Sequence, residues 1–162
     1  MPLFGRGQKK EEPVCDVCRQ PLKLTLVPQV RGARNQVEVI LRNLPVLSCG
    51  TKGHPLRYAA PDFGVYLIDA IFWKKNIPMG RPGTLAKVKC YKCRKNLSKE
   101  PTRPGEVAGF LTVLSLPEFA MRIKGPVATC PRCGTEQLWA SKEIGRDVSS
   151  ALTVEAFKAA GL

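Results

Sequence analysis

Histidine is almost missing from this chain of 162 residues, with His54 the only one. Acid is scarce too: 13 Asp and Glu stand against 26 Lys and Arg, for a net charge of +13. No nucleophile–base pair, paired carboxylates or glycine-rich phosphate loop can be assembled from the sequence, so an enzyme is not expected. Long apolar runs are absent. The longest, Val65 to Trp73, is nine residues broken by Asp69, against about 20 for a membrane span. The first 13 residues hold no apolar stretch of signal length and read as a short mobile tail. A soluble, cytoplasmic protein with no membrane and no small-molecule substrate is the expectation.

Cysteine is abundant by contrast, at 7 residues. Six form three C-x-x-C pairs, Cys15/Cys18, Cys90/Cys93 and Cys130/Cys133, and Cys49 is left over. An odd number without a signal peptide argues against a secreted disulfide framework and for thiolates held by metal. A C-x-x-C turn places two sulfurs within reach of one ion, and a second turn from elsewhere in the chain completes a tetrahedron. Cys90, Cys93, Cys130 and Cys133 therefore make one four-thiolate site. Structural zinc is the favoured occupant; rubredoxin-type iron and a redox dithiol pair are the alternatives. Cys15, Cys18 and Cys49 need a fourth ligand. His54, five residues after Cys49 in a glycine-flanked turn, is the first choice. Water, Asp16 or a metal-free site are the others. Two zinc ions per chain follow, and closed sites of this kind leave no position for a substrate.

Along the chain, Leu22 to Val27 alternates as a strand, Pro28 to Asn35 reads as a turn, and Val37 to Leu41 as a second strand. Asn43 to Pro45 should bend the chain into Val46–Ser48 and Cys49. A helix is expected from Phe63 to Trp73, apolar nearly all round and hence buried. Pro78 to Ala86 reads as a linker. In the second half, Pro101 to Gly105 should be a loop, Phe110–Leu116 and Phe119–Ile123 a hairpin, and Lys124–Pro126 a bend. A terminal helix is expected from Asp147 or Ser149 to Ala160, stopped by Gly161. The halves repeat: a C-x-x-C, a hairpin, a proline four residues before the next cysteine (Pro45, Pro126), a second knuckle, then a helix. The fold expected is mainly β with short helices, two metal-bearing hairpin modules in tandem. Residues 1–13 form the tail, 14–77 the first module with its helix, 78–86 the linker, and 87–162 the second module with its helix.

The knuckles Cys90-x-x-Cys93 and Cys130-Pro131-Arg132-Cys133-Gly134 resemble those of the zinc-ribbon and rubredoxin-like group. Val14 to about Tyr58 resembles the YgiT-type zinc ribbon of some bacterial antitoxins, with its C-x-x-C, valine-rich strand and Leu44-Pro45 before the knuckle. That resemblance implies two tandem zinc ribbons, each a zinc-stabilised module that contacts a partner. The chain departs from the YgiT type at Lys52, which stands where a fourth cysteine would be. It also shows no helix-turn-helix, so the antitoxin function is not carried over.

The positive charge is concentrated. From Lys74 to Arg103 there are ten basic residues and one acid, Glu100. Lys92, Arg94, Lys95 and, just outside the run, Arg132 lie close enough to the cysteines to offset thiolate charge. Lys74, Lys75, Arg81, Lys87, Lys99 and Arg103 do not need that explanation. With Lys92, and with Tyr91 as the best aromatic for stacking on an unpaired base, they form the expected contact set for nucleic acid, RNA or DNA without sequence preference. Tyr58, Trp73 and Trp139 can also stack on bases or cover a ribbon's small core, and core is favoured for Trp73. The rival expectation is a protein–protein adaptor that uses ribbon edges and the Phe63–Trp73 helix, its charge meeting an acidic protein. Rubredoxin-like electron transfer is a lesser third.

Overall fold

The computed structural model describes residues 12–60, 62–72, 74, 77–79 and 87–152. The expected tail as far as residue 11, Trp73, Lys75, Arg81 and the rest of the linker from 80 to 86 lie outside these residues, as does the chain beyond 152.

The protein is mainly β. Strands β1 (Lys23–Arg34) and β2 (Val37–Ser48) form a hairpin, followed by the short β3 (Arg57–Tyr58) and helix α1 (Phe63–Phe72). The second half repeats this with β4 (Arg103–Leu111), β5 (Phe119–Thr129), β6 (Glu136–Leu138) and helix α2 (Lys142–Ser150). The six strands form one antiparallel sheet, ordered β1-β2-β5-β4, with β3 on β2 and β6 on β5.

Both hairpins are longer than local signals suggest. β1 and β2 run straight through the expected turn and bend, and only Asn35 and Gln36 connect them. Asn35 takes φ 49° at the tip, a left-handed conformation that asparagine tolerates well. Pro28 and Asn43 face each other where the ladder lacks a pair. Proline has no N–H to give, and Asn43 sits at φ 57°. Past this point the inward alternation restarts out of step: Val39 and Leu41 are buried before it, Leu44 and Val46 after it. The expected loop Pro101–Gly105 becomes the start of β4 at Arg103, and the expected bend Lys124–Pro126 lies inside β5. Gly105 permits this, because a Cβ there would stand 2.8 Å from a Val127 methyl.

β2 pairs with β5, so the two halves meet strand to strand. The pairing is Ile40 with Arg122 and Leu41 with Met121. The second knuckles begin 81 residues apart (130 − 49), so the repeat mate of Ile40 is Met121 and that of Leu41 is Arg122. Each of these two pairs is therefore the image of the other, and the halves are related by an approximate two-fold axis between β2 and β5.

Helices cover one face of the sheet. Phe63, Leu67 and Ile71 of α1 and Ile144 and Val148 of α2 share one core with Val39, Leu41, Leu111, Phe119, Met121 and Ile123. The expectation of a fully buried first helix is corrected: Val65 is 68% and Tyr66 43% exposed, because α1 packs on the sheet from one side only. The terminal helix starts earlier than expected. The Ser141 hydroxyl accepts the Ile144 N–H at 3.2 Å and so caps α2 ahead of Lys142. The head of the expected linker is held in place: Met79 is buried, and the Pro78 carbonyl accepts the Leu138 N–H at 2.8 Å. Leu41→Ala should cost about 2–5 kcal/mol and lower one unfolding transition for the whole chain. Two transitions, only one of them shifted, would show that the halves unfold independently.

Candidate metal centres

Three of the four knuckles share one turn. The N–H of Cys15, Cys90 and Cys130 bonds the carbonyl of Gln20, Lys95 and Thr135, five residues on, at 2.9, 2.8 and 2.9 Å. The residue after the second cysteine is left-handed in each: Arg19 at φ 60°, Arg94 at φ 66°, Gly134 at φ 69°. This curl turns backbone N–H groups toward sulfur; the Cys93 N–H reaches the Cys90 sulfur at 3.5 Å. The fourth knuckle is longer. Gly50 and Gly53 take φ 82° and 84°, and the extra residues bring round an imidazole where the other knuckles bring a thiol.

Two groups of donor atoms result. Cys15, Cys18, Cys49 and His54 form one, Cys90, Cys93, Cys130 and Cys133 the other, and within each all donor atoms lie within 4.8 Å of one another. The Cys90–Cys133 and Cys93–Cys130 sulfurs are 3.6 and 3.5 Å apart. His54 Nδ1 lies 3.6 Å from the Cys15 sulfur and 3.4 Å from that of Cys49. A zinc tetrahedron with its usual bond lengths needs about 3.8 Å between sulfurs and about 3.5 Å from sulfur to nitrogen. Both groups therefore fit a single ion of that size. Asp16, the alternative fourth ligand, instead pairs with Arg57, whose guanidinium holds the carboxyl below its usual range.

Some of the thiols are prepared for metal, while Cys18 and Cys93 are shifted upward. Hydrogen bonds from the Thr135 hydroxyl and N–H lower Cys133 to about 6. The Thr51 N–H is the main cause of lowering Cys49 to about 7. The Lys95 N–H pulls Cys93 down, but burial and its three neighbouring thiols together raise it to about 11. Thiolate at Cys133 thus exists at neutral pH before an ion arrives. As pH falls through about 6 that sulfur protonates, and protons compete with metal. Acidification is therefore expected to release metal, which zinc content measured against pH checks.

The second centre has a small core of its own, made of Val88, Leu97, Cys90 and Cys130 with Cys93 and Trp139 against it. Trp139 is thereby placed as core, its indole N–H bonded to the Leu97 carbonyl at 3.4 Å. Tyr58 stacks on Phe63 with ring centroids 5.8 Å apart. Sequence reading missed Gln137, the only polar residue among the described ones that is fully buried. An isolated glutamine in a three-residue strand gives no signal.

Of the expected nucleic-acid contacts, Lys74, Lys87, Lys92 and Lys99 are exposed, and Tyr91 is half-buried. Arg103 is exposed but pairs with Glu136. Lys89, Arg94, Lys95 and Arg132 are exposed around the second centre. Among the described residues, none of Lys74, Lys87, Lys89, Lys92, Arg94, Lys95, Lys99 and Arg132 joins an ion pair. Among the described residues, no helix is long and apolar enough to cross a membrane.

Fold and sites together define a mainly β chain with two four-ligand centres that can each hold a metal ion, an arrangement that fits tandem ribbons. Comparison with protein families, with curated proteins and with solved structures finds no match to this chain. Two zinc ions per chain are expected from elemental analysis of reduced protein; one or none would refute the pair of centres.

Proposed function

We propose that this protein is a non-enzymatic, zinc-stabilised module that binds nucleic acid, or a nucleoprotein complex, through the cations gathered at its second centre. One observation carries the reading: eight exposed Lys and Arg side chains there and at Lys74 have no acidic partner among the described residues. A zinc bound by four thiolates has charge −2, so local neutralisation accounts for only part of this excess. Unpaired surface cations around a rigid knuckle suit phosphate contacts, which hold a nucleic acid in place without reading its sequence. The test is direct titration of labelled RNA and DNA duplexes of unrelated sequence against salt.

A second reading has its own support. Val65 and Tyr66 on α1, with Leu24 at 47% and Leu26 at 50% on β1, are exposed apolar side chains. They suit an adaptor that docks a protein partner. That reading expects only weak, non-saturating association with nucleic acid. Rubredoxin-like electron transfer is decided by colour, red for iron and colourless for zinc.

A further inference from the structure

One side chain that cannot bind metal ties the second centre together. Gln137 on β6 has 0% exposure. Its Oε1 accepts the Tyr91 N–H at 2.8 Å, and its Nε2 donates to the Lys89 carbonyl at 3.2 Å. One amide thus satisfies the backbone on both sides of Cys90, as a neighbouring strand would. Because β6 leads directly out of the Cys130/Cys133 knuckle, this clasp joins the two halves of the site.

The approximate two-fold identifies its counterpart. β3 meets β2 at Tyr58–Val46, and β6 meets β5 at Leu138–Val127. Val46 and Val127 are 81 residues apart, the offset of the second knuckles, so Tyr58 corresponds to Leu138 and Arg57 to Gln137. The first knuckles are offset by 75 (90 − 15), so Asp16 corresponds to Tyr91. Arg57 and Asp16 are bonded to each other. The same two positions are clasped in both halves, but by different chemistry. The second clasp is neutral and buried. The first is an ion pair with side chains 42% and 65% exposed, and exposed pairs are weak and screened by salt. The surroundings differ in the same sense: Val14 and Val17 at the first knuckle are 37% and 63% exposed, while the second has its own small core.

We propose that Gln137 and Arg57 are positioning residues that set how readily each centre gives up its ion. The buried amide makes the second centre permanent. The exposed ion pair leaves the first exchangeable and dependent on ionic strength. This rests on the reading that both groups hold zinc. It goes beyond the difference that histidine in place of a thiolate would make, because imidazole does not confer salt sensitivity or act at Gln137.

The test follows zinc release from the full, zinc-loaded chain to a chromogenic chelator, at low and high sodium chloride. A fast and a slow phase are expected, and only the fast one should quicken with salt. Arg57→Gln should quicken the fast phase and abolish its salt response. Gln137→Met keeps the packing but loses both hydrogen bonds. It should quicken the slow phase by about 10- to 100-fold, the usual effect of removing a group that orients a metal ligand. Hydrogen exchange at the Tyr91 amide should rise with it, which loss of packing elsewhere would not produce. A fast phase indifferent to salt, or a slow phase unchanged in Gln137→Met, overturns the proposal. Should Gln137→Met fail to fold, the salt series and Arg57→Gln decide it. Fewer than two zincs per chain before chelation would instead refute the zinc reading itself.

Discussion

Cys130→Ser is expected to release the ion of the second centre and to unfold the half of the chain that carries it. Cys130 is fully buried, its sulfur 3.5 Å from that of Cys93, and it belongs to both the donor group and the small core around it. Structural zinc contributes about 10–16 kcal/mol of apparent binding free energy in small modules of this kind, and binding and folding are one event there. That is comparable to the whole stability of a domain, so three remaining thiolates cannot be expected to sustain the structure. The damage should spread. β5 runs into the Cys130 knuckle and pairs with β2, so the first half loses its neighbour and part of the common core. Circular dichroism and zinc content measure both effects. A variant with native dichroism and full zinc would show that the second centre is not needed for folding. His54→Ala should be milder, weakening only the first centre; an unaltered release rate would remove His54 from the ligands.

The second large effect concerns salt. Of six cations set apart from the cysteines in the sequence, Arg103 is tied to Glu136. The other five are counted toward phosphate contacts: Lys74, Lys87 and Lys99, which are exposed, and Lys75 and Arg81, which are counted from the sequence alone. At about −0.9 per phosphate, log affinity for a DNA duplex should fall with log salt at a slope of about −4.5. Between 50 and 200 mM salt that amounts to about a 500-fold loss. The slope should hardly change between unrelated sequences. Reversing Lys74, Lys87 and Lys99 to Glu should abolish binding with both zincs retained, since these side chains are exposed and none is a donor in either centre. A flat salt response in the native protein would eliminate the nucleic-acid reading and leave the adaptor.

Some of this architecture was legible in the amino-acid sequence because its causes are local. The C-x-x-C turns announce themselves, and His54 was singled out because three leftover cysteines needed a partner nearby. The alternation of Leu22 to Val27 and Val37 to Leu41 gave the first hairpin. What was missed depends on contacts distant in sequence. Pro28 and Asn43 look like breakers, yet they face each other across the ladder, where each tolerates the other's defect. Pro104, Gly105 and Gly125 suggested loops, but the two glycines pair directly inside β4 and β5. The exposure of Val65 and Tyr66 depends on how many sides of α1 are covered, which composition does not report. Gln137 is defined wholly by backbone groups 46 and 48 residues away.

The meeting of β2 and β5 about an approximate two-fold has a bearing on how such a chain could arise. Cut between its halves, it would leave each with a bare strand edge, the kind of surface that seeks another strand. Because the junction is its own image, two copies of either half could meet there in the way that two subunits of a symmetric dimer do. Joined in one chain, the partners can no longer drift apart, whatever their concentration. Freed from the need to match, they can specialise: one has kept four sulfurs and gathered positive charge, the other has taken a histidine and an apolar surface. The protein has the layout of a homodimer whose subunits were fused and then allowed to differ.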